Sequence, residues 1–240
     1  MIKNIRTNTE PCFLHWPGRH RDWKIDVINN LIMSKSVHSE TPENLDIITF
    51  NTKQEKGLLE KNLDHWGVKH IVFGRGEEWK NNNGMSGCGE KIGHICNHLE
   101  NTTAEYVMGL DCYDVLMVKK LDRIIEKFQK YKCELLFNAE PNCFPAYSDR
   151  GEIERSICPR TLGNWCFLNA GMWIGKRDFC IDFFSKAKKI NCTDEQVVLK
   201  SIYLKMHPLV KIDYMQEIFR VMIYVSIAKH PTIKPHFLKI

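Results

Sequence analysis

The chain has 240 residues, ten cysteines and a formal net charge of +5 at pH 7, with 43% hydrophobic and 26% charged residues. That length is ample for one large hydrophobic core, and the composition excludes a disordered or fibrous chain. The mild positive balance favours a small anionic ligand over nucleic acid, and no apolar run approaches the ~20 residues of a membrane-spanning helix.

Residues 1–44 differ in character from the rest and read as an N-terminal extension that packs on the following domain. They hold a short strand at residues 11–16 (PCFLHW) and a helix at 24–33 with Ile25, Val27, Ile28 and Leu31 on its apolar face. From residue 45 strand and helix patterns alternate. The β-branched run at 45–52 (LDIITFNT) predicts a strand, and 54–66 a helix carrying Leu58, Leu59, Leu63 and Trp66. A second strand follows at 68–74, then a loop at 75–87 rich in Gly and Asn. Residues 89–100 read as a helix with Ile92, Ile95 and Leu99 on one face, and 105–110 as a third strand. A helix at 121–131, a strand at 133–139 (CELLFNA) and a long surface segment at 141–163 come next. The run 167–175 (FLNAGMWIG) predicts a fifth strand, and 179–189 and 194–205 predict helices. Late strands are expected at 210–213 and 223–228. The βαβα order over 45–240 implies one α/β domain: a mostly parallel twisted sheet with helices on both faces.

Two carboxylates, Asp111 and Asp114, stand at the end of the third strand and on the turn that leaves it. Open α/β sheets bind ligands at that edge. A pair of acidic oxygen ligands there suits Mg or Mn, which such sites hold together with substrate phosphates. Read alone, the pair is also an ordinary strand-end turn. Other segments converge on the same crevice. Thr52 ends the first strand, and Trp79 lies in the loop after the second, placed to stack on a base or to pack under the chain. The glycines of Gly87-Cys-Gly-Glu-Lys91 open a helix where backbone amides and the Lys91 charge can meet a phosphate, although this is no Walker sequence. A pyrophosphate held through a cation is the ligand this pattern suits.

No CxxC pair occurs. Cys96, Cys166 and Cys180 each adjoin an apolar residue, so the cysteines read as buried free thiols in a reducing compartment. The first six residues lack the apolar core of a signal peptide, which points to a cytoplasmic protein. His94 and His98, four apart beside Cys88 and Cys96, match no zinc-site spacing and read as packing or surface histidines.

The ordered blocks GEEWK (76–80), GCGEK (87–91), LDCYDVLM (110–117), FNAEPNCFP (137–145), FLNAGMWIG (167–175) and TDEQ (193–196) resemble the glycosyltransferase domain of the procollagen lysyl hydroxylases and, more distantly, the procollagen galactosyltransferases. The resemblance covers about residues 45–230. It implies a GT-A fold, a UDP-sugar (UDP-galactose or UDP-glucose) as donor, manganese or magnesium as cofactor, and a hydroxyl acceptor on a protein or glycan. It implies Asp111 and Asp114 as metal ligands and Tyr113 packed on the nucleotide. Thr52, Trp79 and Lys91 take positions that contact UDP. Asn169 and Gly171 match a turn in which Ala170 replaces the family's Ser. Phe144 stands where the family has Trp, beside Glu140 and Cys143 near the sugar and acceptor. The family's third metal ligand is a late His in an HGNG context; His230, followed by Pro231, takes that place, with His236 the next choice.

The chemistry is sensible apart from the name. Asp194 and Glu195 at a helix start, or Glu140 at a strand end, can bind sugar hydroxyls or take the acceptor's proton. Asp194 also fits a plain helix N-terminal turn. Two other functions fit the layout. One is a non-catalytic nucleotide-sugar-binding module, which the Asp pair argues against. The other is a nucleotide-sugar pyrophosphorylase, whose Gly-rich loop after the first strand is missing from residues 51–55.

Overall fold

The computed structural model describes residues 3–4, 6–17, 32–33, 38–79, 81–82, 85–86, 88–145, 148–159, 165–190 and 194–222. The strand expected at 223–228, His230 and His236 lie outside them, as does the helix expected at 24–33 except for Ile32 and Met33, which are helical.

In chain order the strands are β1 (Phe13–His15), β2 (Leu45–Phe50), β3 (Ile71–Phe73), β4 (Asn81–Asn82), β5 (Met85–Ser86), β6 (Tyr106–Asp111), β7 (Val115–Met117), β8 (Leu135–Glu140), β9 (Phe167–Lys176), β10 (Val210–Ile212) and β11 (Phe219–Val221). The helices are α1 (Leu58–Trp66), α2 (Cys88–Asn101), α3 (Ile124–Lys130), α4 (Ser148–Ile157), α5 (Arg177–Lys188) and α6 (Glu195–Met206). Six strands form the main sheet in the order β10-β8-β9-β6-β2-β3. Five run the same way; β9 alone is antiparallel, to both β6 and β8. A smaller sheet, β11-β1-β7, lies beside it, and β4 pairs with β5 in the loop after β3.

Side chains alternate across the main sheet, as the pleat demands. On one face Ile47, Met108, Leu110 and Ile174 pack with α1, α3 and the smaller sheet. On the other, Ile48, Val107, Phe137 and Trp173 pack with α2, α5 and α6. Helices therefore cover both faces.

Two local features differ from the sequence reading. The segment at 141–163 contains α4, whose sequence SDRGEIERSI has no apolar stripe. Its fully buried member is Glu154, held 3.2 Å from the buried Lys200 of α6, so a charge pair replaces the apolar contact that sequence periodicity detects. Cys158 and Cys166 are bonded to each other instead of being free thiols, because α4 and the start of β9 bring their Cα atoms to 5.3 Å. Strand β1 pairs antiparallel with β7 and parallel with β11, and all three of its residues are buried. Among the described residues no helix is long and apolar enough to cross a membrane.

Candidate active site

Strand β6 is apolar through Leu110 and ends on Asp111, whose side chain emerges at the carboxyl rim of the sheet. The chain turns at once into β7, so Asp114 is buried under the turn. Strand β1 threads along β7 with His15 opposite Val115, and the backbone bond from Trp16 N to Asp114 O (2.9 Å) closes the register. That pairing sets Nε2 of His15 3.4 Å from Oδ1 of Asp114 and 3.8 Å from Oδ2 of Asp111. One ligand atom from each of the three residues lies within 4.8 Å of the others. Burial opposes a charge on His15, but Asp114, Asp111 and Glu140 outweigh it and raise its affinity for a proton.

The fit to a divalent cation rests on donor chemistry and space. Two carboxylates with one imidazole suit Mn or a similar ion. A Cβ on Gly171 would stand 2.4 Å from Cε1 of His15 and 2.6 Å from Oδ2 of Asp111, so the absence of a side chain there keeps the cradle open. The residue that completes the cluster, His15, carries no metal-site spacing in the sequence; its one signal is a polar residue inside the short apolar run PCFLHW.

Lys91 sits on the first turns of α2 with Nζ 2.8 Å from Oδ1 of Asp111 and 2.9 Å from Oε2 of Glu195. Burial works against its charge, but the two carboxylates win, and the ammonium is held well above its ordinary range. Its Nζ also lies 5.1 Å over the Phe50 ring. Glu195 opens α6. Asp194 is the N-cap, its Oδ1 accepting from the amides of Gln196 (2.8 Å) and Val197 (3.3 Å). Oδ2 of Asp194 and Oε1 of Glu195 are buried and have no hydrogen-bond partner among the described residues. Glu140 ends β8 at the same rim. Burial raises its pKa to about 7, with Lys200 opposing, and Gln196 Nε2 donates to it at 2.7 Å.

The loops after β2 and β3 form the other wall. Tyr113, half-exposed, donates its hydroxyl to Oδ1 of Asn51 at 2.7 Å, which ties the Asp pair's turn to the end of β2. The carbonyl of Thr52 accepts from Gly76 N (3.0 Å). Gly74 has φ +82°, and the Trp79 ring lies directly over it. Nε1 of Trp79 donates to Oε2 of Glu77 (2.9 Å), and the ring sits 6.3 Å from Phe50 and stacks on His94 at 6.0 Å. His94 reaches the same Glu77 oxygen at 2.9 Å, and His98 lies 3.0 Å from Asp46; among the described residues neither histidine of α2 belongs to a cluster that could hold a metal.

Strand β9 supplies the floor. Its register on β8 jumps from Phe137↔Trp173 to Asn138↔Asn169, so Ala170, Gly171 and Met172 bulge toward the rim. The amides freed by the bulge are recovered by side chains: Ala170 N donates to Oε1 of Gln196 and Gly171 N to Oδ1 of Asn169, both at 2.9 Å. Gln196 thus joins β9, Glu140 and the Phe144 carbonyl (2.6 Å). It belongs to the TDEQ block, but its linking role is visible only in three dimensions. The geometry therefore gathers Asp111, Asp114, Lys91, Glu195, Asp194, Glu140, Asn169 and Gly171 around one rim, with Thr52, Tyr113 and Trp79 along its side.

A family model described as the PLOD GT domain matches residues 41–228. The multifunctional procollagen lysine hydroxylase and glycosyltransferase of Homo sapiens is 26% identical over 170 residues, 68% of this chain and 22% of its own length. The procollagen-lysine,2-oxoglutarate 5-dioxygenase of Drosophila melanogaster is 32% identical over 120 residues, 46% of this chain and 15% of that protein. The procollagen-lysine,2-oxoglutarate 5-dioxygenase 1 of Mus musculus is 26% identical over 152 residues, 60% of this chain and 20% of that protein. The chain spans about a fifth of the length of these relatives. The mixed α/β architecture is consistent with a GT-A type glycosyltransferase domain.

Proposed function

The chain belongs to the PLOD GT domain family, and on that premise we propose that it is a metal-dependent hexosyltransferase. It moves galactose or glucose from a UDP-sugar to a hydroxyl of a protein or glycan acceptor. The observation that carries this reading is the cluster of His15, Asp111 and Asp114 at the carboxyl rim, with Lys91 fixed beside it. These three side chains would hold the cation. Bound there, a divalent ion neutralises the charge that develops on the leaving diphosphate.

The chain's own groups supply the rest. The ammonium of Lys91 is anchored by two carboxylates, so it offers fixed positive charge to the diphosphate without reorganising. The rings of Trp79 and Tyr113, with Thr52 just after the end of β2, would line the side where the uridine binds. Oδ2 of Asp194 and Oε1 of Glu195 need donors, and sugar hydroxyls are donors of the right kind. Glu140, with a pKa near 7, is suited to accept a proton from the attacking hydroxyl at neutral pH.

The test is release of UDP from UDP-galactose and UDP-glucose, with and without manganese, by the wild type and by Asp111→Ala. Manganese-dependent release that Asp111→Ala abolishes supports the reading. Tight UDP binding with no release under any condition would make the domain a non-catalytic binding module.

A further inference from the structure

A histidine that binds a cation through one ring nitrogen keeps the other as an N–H donor, and the acceptor of that N–H fixes both the tautomer and the ring plane. Nε2 of His15 faces the two aspartates. Nδ1 lies 3.4 Å from the side-chain amide of Asn138 on β8. His15 is 2% exposed and Asn138 0%, so water does not compete for this contact.

The sense of the Asn138 amide follows from the bulge in β9. The Met172 carbonyl, released from the β8 ladder there, needs a donor. The amide nitrogen of Asn138 provides one at 3.0 Å and reaches the Asn169 carbonyl as well. The opposite sense would press the amide oxygen against two backbone carbonyls, whose chemistry is fixed. With its nitrogen committed to the bulge, Asn138 turns its oxygen to Nδ1 of His15; Oδ1 of Asn169, 3.1 Å away, already accepts from Gly171 N and gives that oxygen no hydrogen.

We propose that Asn138 is a positioning residue for the cation site: its side-chain oxygen accepts Nδ1–H of His15 and so holds the Nε2 lone pair toward Asp111 and Asp114. The proposal rests on the reading of that cluster as a cation site. It gives the β9 bulge a purpose, because one amide repairs the broken ladder and orients a ligand carried by a strand from the far end of the chain.

The test compares Mn2+ binding by calorimetry, with UDP present, for the wild-type chain, His15→Ala, Asn138→Leu and Asn138→Asp. Loss of an outer-shell partner costs a metal about 10–100-fold in affinity, and Asn138→Leu is expected to lose that much. Asn138→Asp keeps an oxygen facing Nδ1 but sets its other oxygen against the Met172 and Asn169 carbonyls, so it is expected to bind Mn2+ more tightly than Asn138→Leu while melting below the wild type. A purely structural role for Asn138 would not separate the two variants in this way. Affinity unchanged in Asn138→Leu but lost in His15→Ala would overturn the proposal and leave the cation site standing. If the wild type binds no Mn2+, the cation site and the proposal fail together. Should Asn138→Leu not fold, 15N NMR of wild-type His15 with Mg2+ bound decides: a proton on Nδ1 is expected, and a proton on Nε2 would overturn the assignment.

Discussion

The two ends of the main sheet invite comparison. At the amino end of β2 and β3 a cavity of about 390 Å³ opens between Thr41, Pro42, Asp46, Lys69, His70 and Ile71. Several polar groups around it are matched: Asp46 with Thr102 (2.5 Å), Lys69 N with Thr41 Oγ1 (2.9 Å), His70 with the Val68 carbonyl (3.1 Å); Nε2 of His98, 3.0 Å from Asp46, is buried without a well-formed hydrogen bond among the described residues. At the carboxyl rim His15, Asp114 and Glu140 are buried beside the largely covered Lys91, and two carboxylate oxygens lack partners among the described residues. Burying charge is costly unless something repays it. The rim, where acidic and basic side chains are gathered and two carboxylate oxygens lack donors among the described residues, is therefore where a charged ligand is expected, as the topology of open α/β sheets also requires.

The comparison breaks most visibly if substitutions at the two ends weigh equally. Asp111→Ala and Asp114→Ala are expected to lower manganese-dependent transfer at least about 100-fold, since a metal contributes several kcal/mol to such a transition state; turnover assays measure this. Lys91→Met removes a fixed charge and leaves Glu195 buried without its partner. A loss of roughly 100-fold in kcat/KM for the donor is expected, by analogy with removal of a charge-stabilising donor. Trp79→Ala is expected to weaken UDP binding about tenfold, within the range of base–aromatic stacking, with thermal stability little changed; calorimetry reads the affinity.

Glu140 measures what the rim costs the fold. In the unfolded chain a Glu titrates near 4.3, while in the folded protein it titrates near 7. Across that window the unfolded state releases the proton first, so this group's contribution to stability falls as pH rises and levels off above about 7, with a slope of at most about 1.4 kcal/mol per pH unit. Glu140→Gln is expected to flatten the decline; parallel melting curves for wild type and variant from pH 5 to 8 would contradict it. The smallest effect belongs to the other end of the sheet. Lys69→Ala, in the cavity, is expected to leave transfer rate and UDP affinity unchanged, and a marked loss of either would undo the contrast between the two ends.

Much of this arrangement is legible in the sequence where one residue type dominates a short run. The apolar stretch before Asp111 marks β6, and the glycines before Lys91 announce the start of α2. The direction of β9 is not legible, because a fully buried strand reads the same in either direction. Helix α4 escapes because its buried face rests on Glu154 and Lys200. His15 escapes for a different reason: ligands placed by long-range strand pairing leave no local spacing, and β1 meets β7 across about a hundred residues. The roles of Asn138 and Gln196 depend on a register jump that no periodicity encodes.

The most direct test is a crystal structure with UDP and Mn2+, with data collected at the manganese edge. The account predicts one anomalous peak bounded by Nε2 of His15 and the carboxylates of Asp111 and Asp114, touching the diphosphate, with Lys91 beside it. A peak at any other place, or a diphosphate bound away from that rim, would contradict it.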